Sequence, residues 1–201
     1  MEPSADQSPS VQPQPEQPQP DDKDWTWTLS KRCPECGLSA GEVDVADVAS
    51  RAELAAAEWV QILTSHPAVT ARPQPRVWSA LEYGAHVRDV YRLFDARLVL
   101  MLTEDDPTFD NWDQDETAMA EGYSEQDPDQ VADELAAAAE VFVARLRALE
   151  PSQLERRGRR TDGAEFTVTT FAQYFLHDVI HHLWDVTGQQ DGVESLRETT
   201  P

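Results

Sequence analysis

Four stretches of the chain repeat apolar side chains at helical spacing, and each is bounded by residues that start or stop a helix. The first, about residues 45–65, carries Leu54, Trp59, Ile62 and Leu63, then runs into His66-Pro67 and the proline-rich ARPQPRV segment. The second opens on Ser79-Ala80-Leu81-Glu82, where the Ser79 hydroxyl and the Glu82 carboxylate can satisfy exposed amides reciprocally, and continues to about residue 102. The third opens on Asp127-Pro128-Asp129-Gln130, an acidic cap followed by proline at the first helical position, and stops before Pro151. The fourth begins near residue 169 and runs through FAQYFLHDVIHHLWDV to Gly188, a residue suited to a C-cap. Together they predict an all-α fold, a four-helix bundle.

The segments between helices divide the chain. RRGRRTDGAEFTV, with Asp162-Gly163 as a turn between short extended runs, predicts a small β-hairpin before the last helix. Residues 103–126 form a long acidic connection, in which Phe109, Trp112, Met119 and Tyr123 can fold back onto the bundle. That connection reads either as a solvated loop or as a lid with Trp112 and Tyr123 touching substrate. Residues 1–24 alternate Pro and Gln with almost nothing apolar to bury, which predicts a disordered acidic tail. The expected organisation is that tail, a CPEC-containing arm over 25–44, the bundle over 45–188 and a polar C-terminal tail over 189–201.

Charge and hydropathy narrow the setting. With 38 acidic against 16 basic side chains the formal net charge is −22. Such a field repels phosphate backbones, so nucleic acid is not an expected partner, and it favours cations nearby. No run approaches the roughly 18 apolar residues of a membrane span, and the first residues lack the basic start and apolar core of a secretory signal. The expectation is a cytoplasmic protein with no membrane partner, acting on a small molecule, with a homodimer as a candidate assembly.

His177, His181 and His182 lie within six positions of the fourth helix. Positions i and i+4 differ by about 40° in azimuth, so His177 and His181 share a face, whereas His182 sits roughly 140° from His177. Two neutral imidazoles one turn apart make half of a site for Zn, Ni or Fe. His86, early in the second helix among Tyr83, Val90 and Leu93, can supply the third ligand. Three imidazoles leave a coordination position for water or substrate, as catalytic sites do. Glu82, Asp178 and Asp185 are candidate acceptors for the ligands' outer N–H groups, and Tyr83 and Tyr174 fall near enough in azimuth to line the pocket. The motif is not that of a zincin, because HDVIH lacks the glutamate of HExxH.

Cys33 and Cys36, in CPEC, are the chain's two cysteines. Three readings stay open for them: thiols in a structural turn, a redox pair, or auxiliary metal ligands. A Cys₄ zinc site is excluded within one chain. Trp25 and Trp27 are expected to anchor this arm to the bundle.

WSALEYGAHVRDVYRLFDARL (78–98) and YFLHDVIHHLWDV (174–186) resemble the two metal-binding helices of the DinB-like superfamily, and the acidic connection and TDGAEFTV fit the same pattern. The resemblance spans roughly residues 45–187. It implies a four-helix bundle with an unusual crossover and one divalent metal on three histidines, which map to His86, His177 and His181. It also implies a metal-dependent enzyme using a low-molecular-weight thiol of the mycothiol type for transfer or isomerisation. The alternatives are a metal-dependent hydrolase and a non-catalytic, stress-related metal-binding or interaction protein.

Overall fold

The computed structural model describes Pro18 and residues 24–190. The tails expected over 1–24 and 189–201 lie almost wholly outside the described residues. In chain order the elements are α1 (Val45–Ser65), α2 (Ala80–Thr103), β1 (Thr108–Phe109), α3 (Gln114–Ala120), α4 (Pro128–Arg147), β2 (Arg157–Arg160), β3 (Glu165–Thr167) and α5 (Val168–Thr187). Two 3₁₀ turns, Trp25–Leu29 and Ala40–Glu42, shape the arm that precedes α1.

Local chemistry sets the helix ends. The Ser79 hydroxyl accepts from the Glu82 amide at 3.2 Å, and the Glu82 carboxylate accepts from the Ser79 amide at 2.8 Å, a closed capping box at the start of α2. Asp127 caps α4 by accepting from the Gln130 amide at 3.0 Å, with Pro128 in the first turn. A second capping box, Thr167 with Thr170, starts α5, and Gly188 at φ +68° ends it.

The long helices pack in an order that differs from their order in sequence. Both α1 and α2 lie against α4 and α5, while α1 and α2 touch each other little. The diagonals of the bundle therefore join α1 to α2 and α4 to α5, while α2 and α4 are neighbours. The core between them holds Trp59, Tyr91, Phe142 and Phe175, with ring centroids 4.9 Å apart for Tyr91–Phe175 and 4.5 Å for Phe142–Phe175. Edge-to-face pairs of this kind contribute about 0.5–1.5 kcal/mol each beyond area burial. The polar ends of the buried rings are satisfied: the Tyr91 hydroxyl donates to the Ala52 carbonyl at 2.6 Å.

The expected hairpin forms as β2 and β3, turning through Gly163 at φ +99°. The acidic connection adds a third strand that the sequence did not signal: β1 pairs parallel to β2, Thr108 opposite Arg159. Gly158 permits this packing, since a Cβ there would lie 2.8 Å from Met101 and 3.0 Å from Phe109. The same connection contains α3, capped by Asp113, whose carboxylate accepts from the Glu116 amide at 2.8 Å. Phe109 and Tyr123 are buried and Trp112 is half-buried, whereas Met119 stays 62% exposed. The Tyr123 hydroxyl donates to Asp89 on α2 at 2.6 Å. Tyr123 thus anchors the connection, and the expectation that it touches substrate is corrected.

Glu82 also takes a different part from the one expected. Beyond the cap it pairs with the Arg72 guanidinium, Nε lying 3.0 Å from one carboxylate oxygen. Both oxygens are committed to Ser79 and Arg72, so Glu82 is a capping residue and no partner of a histidine ligand. Burial opposes its ionisation, but Arg72 and the Ser79 amide and hydroxyl outweigh that and hold the carboxyl below the usual glutamate range. A carboxyl with a depressed folded pKa stabilises above its unfolded value near 4.3, and that contribution is lost as pH falls through the folded value. We expect Glu82→Gln to lower stability at pH 7 by about 1–3 kcal/mol in urea unfolding. The gap to the wild type should close as the pH is taken below about 4; a gap constant with pH would show that charge has no part in it.

Candidate metal centre

On α5 four side chains able to bind metal occupy two neighbouring stripes. His177 and His181 share one, and Asp178 and His182 share the next, about 100° further round. The stripes face different parts of the molecule. Asp178 and His182 face α2, where His86 projects toward them, and His177 and His181 face the arm that carries Cys33 and Cys36.

His86, Asp178 and His182 offer one donor atom each, all within 4.8 Å of one another. The Asp178 Oδ1 lies 3.4 Å from Nε2 of His86 and 3.7 Å from Nε2 of His182. His86 is fully buried, and neither of its ring nitrogens has a hydrogen-bond partner; nor does the Asp178 Oδ1. The outer nitrogen of His182, Nδ1, is 2.8 Å from Asp185 Oδ2, so Asp185 fixes the tautomer that leaves Nε2 as a donor atom. Trp112, from the acidic connection, stacks flat on His86 with ring centroids 5.1 Å apart. Burial pushes the His86 pKa down, outweighing the opposing pull of Asp178. Burial also opposes ionisation of Asp178, yet the surrounding imidazoles, His86 foremost, hold its carboxyl at about 2. At neutral pH His86 is thus a neutral imidazole and Asp178 a carboxylate, both in their ligating forms.

Cys33, Cys36, His177 and His181 form a second group of donor atoms within 4.8 Å, with all four residues buried. The Cys33 Sγ lies 3.6 Å from Nδ1 of His181. Trp25 covers both imidazoles, its ring centroid 5.5 Å from that of His177 and 4.8 Å from that of His181. Burial, with His181 alongside, lowers the His177 pKa to about 4, and burial lowers that of His181 as well. Burial pushes the Cys36 thiol up to about 12.

The structure does not assemble His86, His177 and His181 into one group. It keeps the expected pairing of His177 with His181 but gives that pair to the cysteines, and it joins His86 to Asp178 and His182 instead. The azimuth separating His182 from His177 holds; what it could not show is which stripe faces α2. Asp178, expected beside a ligand, contributes a donor atom, and Asp185 does back a histidine. The signal for the second group was present in CPEC plus HxxxH, a complete Cys₂His₂ set. Tyr83 packs on the His182 ring at 5.2 Å between centroids. An open cavity of about 460 Å³ reaches both groups: Asp178 and His182 line it, as do His177 and His181, together with Trp25, Trp112, Arg160 and Tyr174. Its size suits a small-molecule ligand.

The depressed His177 pKa sets a test. In protein kept free of metal, the imidazole should stay neutral from pH 8 down to about 5, and its ring resonances should shift with a midpoint near 4. The stability contributed by burying the neutral ring is complete above its unfolded pKa of about 6.5 and is lost as pH falls toward the folded value. A midpoint near 6.5 would place the ring in solvent.

The fold and sequence relate the chain to known proteins. YfiT from Bacillus subtilis, described as a probable metal-dependent hydrolase with an unusual four-helix bundle topology, superimposes with a TM-score of 0.63. The two are 17% identical, over 78% of this chain and 89% of that one, so the likeness is one of fold. No curated protein matches the sequence. Residues 51–186 match the DinB superfamily, covering all four long helices in whole or large part, and the chain belongs to that superfamily.

Proposed function

We propose that this protein is a metal-dependent enzyme whose ion is held by His86, Asp178 and His182 and whose small substrate enters the cavity beside Trp112. The observation that carries the reading is the cluster of buried donor atoms that make no well-formed hydrogen bond: both ring nitrogens of His86 and Oδ1 of Asp178, which approaches Nε2 of His86 only to 3.4 Å, with His182 beside them. Buried polar atoms are ordinarily paired, and such a gathering fits a cation. Two imidazoles and a carboxylate suit Zn, Ni or Fe. Three protein donors with one side toward a cavity is the pattern of a catalytic site.

A bound divalent ion supplies Lewis-acid polarisation and favours the deprotonated form of a thiol or water beside it. The chain's own residues do the rest. Asp185 holds His182 in its ligating tautomer, and burial keeps His86 neutral. Trp112 stacks over His86 and keeps water from that side of the ligand set. Arg160, held by Asp162 at 2.7 Å, and the Tyr174 hydroxyl present donors on the cavity wall for a carboxylate or carbonyl of the substrate. The nucleophile in this reading is a low-molecular-weight thiol of the mycothiol type, attacking an electrophilic small molecule in transfer or isomerisation; the superfamily resemblance supports it. The reaction would take place in the cytoplasm, where reduced thiols are maintained. Hydrolysis is the second reading, favoured by the description of YfiT.

The test is thiol consumption by metal-loaded protein in the presence of a panel of electrophiles, alongside ester and amide hydrolysis without thiol. His86→Ala and His182→Ala should each abolish turnover and remove one ion. Asp185→Asn should weaken ion binding about 10–100-fold while leaving the ligands in place. Turnover without thiol selects hydrolysis; turnover undiminished in both histidine variants would remove this site from the reaction.

A further inference from the structure

We propose that Cys33, Cys36, His177 and His181 bind a second ion, a structural zinc that clamps the arm onto α5 and is separate from the ion proposed at His86. The four donors come from two preformed pieces. In CPECG the Cys33 amide donates to the Leu38 carbonyl at 2.9 Å, the Gly37 amide donates to the Cys33 carbonyl at 3.0 Å, and Gly37 sits at φ +82°. That turn presents both sulfurs to one side, and the left-handed backbone at its end is the conformation glycine adopts without strain. The pitch of α5 presents the two imidazoles one turn apart, their centroids separated by 5.0 Å. The spacings, Cys-x₂-Cys and His-x₃-His, are those of Cys₂His₂ zinc sites.

The geometry fits a tetrahedron around zinc. With Zn–S near 2.3 Å and Zn–N near 2.0–2.1 Å, tetrahedral angles separate sulfur from nitrogen by about 3.5–3.6 Å. The Cys33 Sγ to His181 Nδ1 distance is 3.6 Å. The other nitrogen of His181, Nε2, lies 3.5 Å from Glu35 Oε2, inside the CPEC motif itself. Glu35 is thus placed to take the outer N–H and leave Nδ1 as the ligand, the usual arrangement of a carboxylate behind a zinc-bound histidine. The His177 Nε2 is buried without a hydrogen-bond partner. A disulfide would account for the cysteines but not for two buried imidazoles turned toward them, and both thiols are free.

The donor set distinguishes this site from its neighbour. Four protein donors complete a zinc coordination shell, so the ion would have no open position and no catalytic part. Two thiolates select zinc over the harder divalent ions. Binding converts each thiol to thiolate and releases two protons to solvent, with the imidazoles already neutral. The clamp would hold Trp25, which lines the cavity, against α5, and would fix the rotation of the helix that carries Asp178 and His182 one residue further on.

Metal content and the cobalt-substituted spectrum of the full chain test the proposal. Cys33→Ser/Cys36→Ser should hold one ion fewer per chain than the wild type. Cobalt-loaded wild type should show a thiolate-to-cobalt charge-transfer band and tetrahedral ligand-field bands. The charge-transfer band should vanish in the cysteine variant and persist in His86→Ala/His182→Ala, so failure at one site is legible without the other. If the cysteine variant does not fold, the wild-type spectrum decides, together with release of one ion as a mercurial titrates the two thiols. Absence of the charge-transfer band, a metal content unchanged by loss of both cysteines, or mercurial modification without release of an ion would overturn the second site.

Discussion

A helix turns about 100° with each residue, and on α5 this step separates two sets of donors that are adjacent in sequence. His177 and His181 look toward the arm, and Asp178 and His182 look toward α2. Every other feature of the site follows from how the surrounding elements meet those two stripes. Rotating α5 by one residue would exchange the stripes and leave His86 facing His177 and His181. Rotation is resisted by the apolar face of α5, on which Phe171, Phe175, Leu176 and Val179 are buried in the bundle. Gln173 resists it further by donating to the Val43 carbonyl of the arm at 2.9 Å.

The diagonal order of the bundle makes both meetings possible. Because α5 lies between α1 and α2, it receives His86 from α2. The arm reaches it separately, through the 3₁₀ turns packed on its surface. Gly41 permits that docking, since a Cβ there would run into the Leu29 carbonyl. The acidic connection then closes over His86: β1 fixes one end by pairing with β2, Tyr123 fixes the other on Asp89, and Trp112 between them lies flat on the imidazole. A segment that reads as a loop in sequence is held at both ends and forms part of the cavity wall.

The electrostatics of the two groups differ in a way their chemistry requires. The group at His86 contains a carboxylate held ionised, opens toward the cavity, and has Asp113, Asp115 and Asp162 on the cavity lining. An acidic rim on a chain of net charge −22 favours cations at that mouth. The group at Cys33 consists of four buried residues, of which only His177 and His181 reach the cavity; burial keeps the Cys36 thiol protonated and the two imidazoles uncharged.

The long helices, their caps and the hairpin were legible in the sequence because each is decided by residues close together: Ser79 with Glu82, Asp127 with Gln130, Asp162 with Gly163. The likeness to the DinB superfamily was legible for a related reason, since its motifs lie within single helices. β1 was not, because two residues are too few to show alternation and its pairing partner lies on the far side of α4. The seven residues of α3 carry a cap but no apolar face. The donors themselves were all visible, yet their partition was not. HxxxH at 177 and 181 and DxxxH at 178 and 182 have identical helical spacing, so periodicity alone cannot say which pair faces His86. Nor can it bring Cys33 to His181, 148 positions away. That choice belongs to packing: the rotation of α5 in the bundle is set by which of its apolar side chains are buried against α1 and α2, and only the folded arrangement of those helices and the arm determines which stripe meets which donors.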